Sequence, residues 1–266
     1  MLEKINALIC KLPGKIGDFH LEVPGRYWLL HPGFLKNVRS LTTGFHDGRR
    51  ILDLLTVHTE LQFNETILDA GCGDGKVGSA LACRDFEGRY YGFDLNPRRI
   101  KALNKLFQSR PNFNFRHADV FHSYYNPGGR QQPDRFKYPY EDESMDLIFY
   151  NSIFTHMKLG TIAHNLKEAR RCLKKEGKIW ASFFILDEVY DPNYPRLEWR
   201  FNTPFDQGFT GNPANPEKSV AFNFDKIFSV LDLSGLRLTR YIPGTWKTPP
   251  ASLDQHLLDV IVSVSA

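Results

Sequence analysis

Between residues 67 and 82 the chain reads ILDAGCGDGKVGSALA: an apolar run that takes in Asp69, then Gly71, Gly73, Gly75 and Gly78, then a segment able to start a helix. Glycines between a strand and a helix let the backbone turn tightly and approach a ligand closely, as a nucleotide-like cofactor requires. A triphosphate loop also needs a lysine followed by a hydroxyl that holds magnesium. Lys76 follows Gly75, but Val77 takes the hydroxyl position, which argues against that use. Asp94, at the end of the next predicted strand, is placed to accept hydrogen bonds from two ribose hydroxyls, a feature common to dinucleotides and to phosphate-free nucleoside cofactors. Asp69 separates the two. A pyrophosphate at this turn would carry two negative charges toward the carboxylate, whereas a ribose-bearing cofactor with positive groups would be attracted to it.

These residues need a scaffold, and the sequence supplies one from residue 66 onward. Short apolar runs at 66–70, 89–95, 112–120, 146–151 and 178–186 predict strands. Helical patterns at 75–84, 97–110 and 159–173 fall between them, with Pro97 at a first helical position and a turn expected near Gly177. A helix over 222–235 and strands over 236–242 and 256–265 close the chain, the last strand antiparallel. Such alternation predicts an α/β fold with a mostly parallel sheet covered on both faces. Residues 1–60 are expected to form an N-terminal extension or cap, with helical stretches at 2–11 and 47–59 and a folded loop at VPGRYWLLHPG, and residues 61–266 the main domain. Two stretches rich in Pro, Gly and aromatics, 120–143 and 187–221, are expected to be long irregular insertions at the carboxyl ends of strands, where open sheets bind ligands.

Five segments in order resemble the class I S-adenosylmethionine-dependent methyltransferases of the bacterial small-molecule type. They are LDAGCGDGKVG, YYGFDLNPRRI, FRHADV, YPYEDESMDLIFYNSIFTHM and EARRCLKKEGKIWASFF. The resemblance is firm over residues 60–185 and implies a three-layer Rossmann-like sheet of seven strands. It also implies S-adenosyl-L-methionine as cofactor and S-adenosyl-L-homocysteine as product. In that frame Asp69, Ala70, Gly71, Cys72 and Gly73 hold the methionine moiety and Asp94 binds the ribose. Leu95 packs on the adenine, Asp119 accepts from its exocyclic amine with Val120 alongside, and Asn151 lies near the sulfonium.

The acceptor is less constrained. His156, just past the fourth strand in NSIFTHM, is a candidate base for a hydroxyl acceptor or else a pocket-lining histidine, since this wording recurs in family members with different acceptors. His117 reads as a packing residue, and His122, Tyr124, Tyr125, Tyr190, Trp199 and Trp246 are candidate acceptor contacts. The segment after Asn151 is Ser-Ile-Phe, which departs from the family's N-P-P-Y/F signature for amino methylation of bases or glutamine. With 34 Lys and Arg against 30 Asp and Glu, the charge is too evenly balanced for a nucleic-acid substrate. A small organic or glycosyl acceptor methylated on oxygen is expected. Nitrogen or a protein acceptor, an NAD-dependent oxidoreductase and a noncatalytic interaction module are the alternatives. The histidines, carboxylates and four cysteines show no metal-ligand spacing. No signal peptide or membrane-length apolar run is read, so a cytoplasmic location is expected.

Overall fold

The computed structural model describes residues 38–193, 199–247 and 256–265, with side chains from residue 47 onward. The expected helix at 2–11 and the VPGRYWLLHPG loop lie outside the described residues. Helix α1 (Val38–Thr59) leads into β1 (Thr66–Ala70), α2 (Lys76–Ala82), β2 (Arg89–Asp94), α3 (Pro97–Leu106), β3 (Phe113–His117) and β4 (Met145–Tyr150). Helix α4 (Leu159–Cys172) and β5 (Leu173–Leu186) follow. Then come the short strands β6 (Thr203–Phe205), β7 (Gly208–Thr210) and β8 (Val220–Asn223), helix α5 (Phe224–Leu233), β9 (Leu236–Ile242) and β10 (Asp259–Ser265).

The strands form one ten-stranded sheet. Its main run is β3-β2-β1-β4-β5-β10-β9, parallel through β5, with β10 antiparallel to both of its neighbours. These are the seven strands and the reversed last strand that the sequence predicts. Each buried strand sends alternate side chains to opposite faces. Leu68 and Ala70 of β1 join a core with Ile162 and Leu166 of α4 and Ile227 and Leu231 of α5. Ile67 joins a second core with Leu52 and Leu55 of α1, Leu81 of α2 and Leu103 of α3. Helix α1 crosses α2 so closely that a Cβ on Gly48 would stand 2.2 Å from the Lys76 carbonyl oxygen.

Two expectations need correction. Residues 187–221 are not structureless: β6 and β7 form a hairpin, β7 pairs with β8, and β8 runs parallel to the end of β5 from Phe184 to Leu186. The turn expected near Gly177 is instead an irregularity within β5, where Glu176 has a φ of 60° and the register against β4 shifts. The 120–143 stretch does lack named strands and carries two isolated bridges.

The second insertion is rooted in a buried polar knot. Lys247 and Asp259 are both fully buried. The ammonium meets Asp259 Oδ1 at 2.8 Å, Asp187 Oδ2 at 2.7 Å, the Ile185 carbonyl at 3.0 Å and the Tyr241 hydroxyl at 3.1 Å. Asp259 also accepts from the amides of Ile185 and Gly244 and from the Trp246 indole. Beside it, Trp246 packs edge-on to Phe184 and Phe201 and against Tyr190, and Trp199 lies on Phe184. Tyr190, Trp199 and Trp246 therefore anchor the insertion by packing.

Removing one partner of a buried ionic cluster leaves the other charges uncompensated, at a cost of about 3–5 kcal/mol. Lys247→Met is accordingly expected to lower stability by that amount in urea unfolding. A loss below about 1 kcal/mol, the scale of an exposed pair, would show that the knot is solvated.

Candidate active site

The site starts at the end of β1, where the chain turns back over β2. Gly71 and Cys72 both donate their amides to the Phe93 carbonyl at 2.9 Å, and Gly73 donates to Asp94 Oδ2 at 3.0 Å. Gly71 and Gly73 adopt φ of 80° and 53°, a left-handed backbone that side chains other than glycine resist. At Gly71 a Cβ would also strike Ile153 Cδ1 at 2.2 Å, whereas at Gly73 it would meet nothing within 4 Å. The turn is thus closed by Ile153 on one side and open at Gly73. Ala70 and Cys72 are buried beneath it.

Asp94 is half-buried, and its Oδ1 accepts from the Asn96 amide at 2.8 Å. Asn96 in turn caps α3, accepting from Arg98 and Arg99 ahead of a helix that opens on Pro97. The Asp94 carboxylate is therefore oriented by backbone amides on both sides. Leu95 is partly buried, and its carbonyl is held by His117 Nε2 at 3.1 Å. His117, expected to pack, is exposed and acts as this tie.

Asp69 sits under the turn rather than in it. It is 4% exposed and accepts a short hydrogen bond from the Tyr90 hydroxyl. Burial pushes its carboxyl up to about 7, against the pull of Tyr90 and with a further push from Asp94. Asp119 lies past β3, partly exposed, with Arg130 of the first insertion folded back onto it. That guanidinium holds the carboxyl below its ordinary range. Val120 beside it is buried.

The turn after β4 carries the other two candidates. Ser152 has a φ of 57°, and its amide donates to Ser182 Oγ at 2.7 Å, while Ser182 reaches the Tyr150 carbonyl at 3.3 Å. Ser182 is fully buried on β5, so the bend is bolted to the sheet. Asn151, at the bend, has a buried Oδ1 with no hydrogen-bond partner. A short 3-10 turn (Phe154–His156) follows, fixed by Phe154 stacking on Tyr150 at 4.3 Å. His156 meets the Tyr125 hydroxyl through Nε2 at 3.3 Å, and its Nδ1 is buried without a partner. Burial pushes the imidazole below its ordinary value, which keeps it neutral.

Both insertions converge on this turn. His122 Nε2 lies 2.8 Å from the His156 carbonyl, and Tyr124 and Tyr125 come from the same loop. Ser123 donates to Glu217, and the Lys218 ammonium lies 5.9 Å from the Tyr124 ring centre; both partners belong to the second insertion. Asp206, in the β6–β7 turn, accepts from the Leu159 amide at the start of α4.

Tyr90, Ser182 and Ile153 were missed by sequence reasoning. Tyr90 and Ser182 read there as ordinary strand residues, and only the register of β2 and β5 shows what they hold. Ile153 lies within NSIFTHM, but nothing in its type announces that it closes the glycine turn. Among the described residues no cluster of His, Cys, Asp or Glu is able to hold a metal, and no helix is long and apolar enough to cross a membrane.

Residues 68–181 match the family described as a methyltransferase domain. That span contains the glycine turn, Asp94, Asp119, Asn151 and His156. Solved structures share the fold at low identity. The PH0226 protein of Pyrococcus horikoshii is 17% identical with a TM-score of 0.57, covering 90% of this chain and 98% of that one. A SAM-dependent methyltransferase of Methanosarcina mazei is 17% identical with a TM-score of 0.52, covering 79% and 96%. The 1,6-didemethyltoxoflavin-N1-methyltransferase of Burkholderia thailandensis is 15% identical with a TM-score of 0.51, covering 94% and 93%. Sheet order, glycine turn and matched span together define a methyltransferase domain. Residues 68–181 are similar to the methyltransferase-domain family on the fold that these structures share, and S-adenosylmethionine is the cofactor that this similarity supports.

The residues present fit that cofactor: the turn is open at Gly73, Asp94 retains acceptor capacity on an oriented carboxylate, and Asn151 offers a buried oxygen without a partner. The Asp69 carboxyl titrates near 7 in the folded chain and near 3.8 when unfolded. Between those values the native state holds a proton that the unfolded chain has lost, so Asp69 makes native stability fall as pH rises from about 4 to about 7. Asp69→Asn removes the titration. Urea unfolding at pH 5 and pH 8 should show the variant gaining on wild type at the higher pH; a difference independent of pH would contradict a neutral buried carboxyl.

Proposed function

We propose that the chain methylates an oxygen of a small organic or glycosyl acceptor, with residues 61–266 forming the catalytic domain and residues 1–60 a cap. Bound S-adenosylmethionine supplies an electrophilic methyl group on a sulfonium. In this reading the turn from Asp69 to Gly73 takes the methionine end. Asp69 itself, buried beneath the turn and held by the Tyr90 hydroxyl, supports the turn from below. Asp94 accepts from the ribose hydroxyls, Leu95 and Val120 flank the adenine, Asp119 accepts from its amine, and the Asn151 oxygen faces the sulfonium.

The observation that carries the oxygen assignment is His156. A hydroxyl becomes acidic as it attacks, so a neutral base within reach accelerates the transfer, whereas an amine needs only to arrive unprotonated. His156 is kept neutral by burial and presents a buried Nδ1 without a partner, under a loop of aromatic side chains. Its part is to take the hydroxyl proton while the surrounding aromatics exclude water. The Burkholderia neighbour, by its name an N1-methyltransferase of 1,6-didemethyltoxoflavin, supports a small acceptor without choosing the atom.

Calorimetry is expected to detect S-adenosylhomocysteine binding to the wild type. Asp94→Ala should weaken it by about 2–4 kcal/mol, since each hydrogen bond to a charged group is worth about 1.5–3 kcal/mol. Tight NAD binding with no response to the thioether would overturn the cofactor assignment.

A screen of small acceptors with labelled methyl donor, followed by locating the label, identifies the acceptor atom. With that acceptor, His156→Ala should reduce kcat about 10²-fold or more while leaving S-adenosylhomocysteine affinity within about threefold. Nearly unchanged turnover at saturating substrates would reject the base.

A further inference from the structure

Two carboxylates stand on neighbouring strands at the carboxyl edge of the sheet. Asp94 ends β2 opposite His117, and Asp119 lies two residues beyond His117. Phe113 and Phe115 of β3 join the core that holds Tyr90, whereas Ala118 and Val120 join the other core, so His117 and Asp119 leave the chain on the same face as Asp94. One strand spacing of about 4.8 Å and two residues of rise at about 3.3 Å each set the two backbone positions about 8 Å apart. That is the scale of a nucleoside, with its ribose at one carboxylate and its base at the other.

Backbone amides orient Asp94, and an arginine orients Asp119. Arg130 meets Asp119 Oδ2 through Nε, and its backbone amide acts on the same carboxyl. An exposed ion pair is usually loose, and the Arg130 side chain is 87% exposed. Here the backbone prepares the pairing. The Gln131 amide donates to the Asp119 carbonyl at 2.9 Å, the Phe121 amide donates to the Gln131 carbonyl at 2.8 Å, and Val120 forms a parallel bridge with Gln131. A Cβ at Gly129 would stand 2.4 Å from the Val120 carbonyl carbon, so the returning chain lies directly against the outgoing one. Asn126 closes the loop, donating from Nδ2 to the Val120 carbonyl and accepting from the Gly129 amide. Arg130 thus stands beside Asp119 before the side chains pair, which leaves little loop-closure entropy for the pair to overcome. The pairing engages Oδ2, and an ionised carboxylate with lone pairs on both oxygens can accept a further donor.

We infer that Arg130 is the positioning residue of the adenine end: by holding one oxygen of Asp119 it aims the remaining acceptor capacity at an exocyclic amine, and so makes the site distinguish a base that carries the amine from one that lacks it. The inference rests on the reading of Asp119 as the adenine partner. A lone carboxylate at this exposed edge is free to turn about its side-chain torsions. Fixed by Arg130, it presents its acceptor in one direction.

The test measures by calorimetry the affinity of the full chain for S-adenosylhomocysteine and for its purine analogue, in which hydrogen replaces the exocyclic amine. The wild type should prefer the amine by about tenfold or more, the scale of a hydrogen bond to a charged group. Arg130→Ala should lower that preference about fivefold, the upper range of an exposed ion pair, and leave affinity for the analogue within about twofold. Arg130→Lys, which keeps the charge without the forked donors, should recover part of the preference. In Asp119→Ala the preference should vanish, and adding Arg130→Ala should change nothing further.

Equal losses for both ligands in Arg130→Ala would overturn the inference, since a folding defect or a direct contact of Arg130 with the cofactor weakens both. A preference that Asp119→Ala abolishes but Arg130→Ala leaves unchanged or raises would overturn it as well. A preference that survives Asp119→Ala would instead overturn the reading of Asp119 itself, a failure visible without any change at Arg130.

Discussion

Everything at this site hangs on a few backbone hydrogen bonds between the end of β1 and the end of β2. Two successive amides, those of Gly71 and Cys72, share the Phe93 carbonyl, and the third, at Gly73, goes to the Asp94 side chain. A chain leaving a strand in this way must adopt left-handed backbone within three residues, which ordinary side chains resist. The glycines are therefore imposed by the geometry of the turn before any ligand is considered. In exchange, the carboxylate that would receive a ribose is oriented by the same turn that would receive the methionine end. Ile153 extends the constraint to β4, because its side chain fills the space that a Cβ at Gly71 would need.

The two ends of the site are built on different principles. The glycine turn rests on regular strands whose side chains are buried on both faces, so its geometry is set by core packing. The segments around the turn after β4 are insertions that must be fastened from outside. The first insertion is fastened by Arg130 on Asp119 and by His122 on the His156 carbonyl. The second is fastened by Lys247 on Asp187 and by Asp206 on the start of α4. Polar ties of this kind are directional, which suits the placing of single side chains. They contribute less to net stability than the apolar area beneath them.

The legible part of the sequence was the part with a period or a steric requirement. Strand and helix alternation carried the main sheet, and the glycines carried the left-handed turn after β1, a backbone that other residue types resist. The hairpin in the second insertion escaped because three-residue strands interrupted by Pro204 leave no alternation to read. Tyr190, Trp199 and Trp246 were read as possible acceptor contacts because an aromatic side chain looks the same in a pocket and in a core. What placed them was the buried knot around Lys247, whose members come from three separate parts of the chain. His117 and His122 illustrate the same limit: each is an isolated histidine in sequence, and each proves to tie a backbone carbonyl more than twenty residues away.

That limit has a physical origin. Residues that bear a function through their own backbone conformation announce it by type, as Gly71 does. Residues that bear it through a partner announce it only when the partner is known. Ser182 is an unremarked polar residue in an apolar strand until the fold puts its hydroxyl between the Ser152 amide and the Tyr150 carbonyl. A hydroxyl buried in a sheet costs stability unless it is paired, and here both of its partners belong to the bend that presents Asn151. The strain stored in the left-handed Ser152 is thus offset by hydrogen bonds from a neighbouring strand. The oxygen of Asn151, in the same bend, is buried and left without a partner.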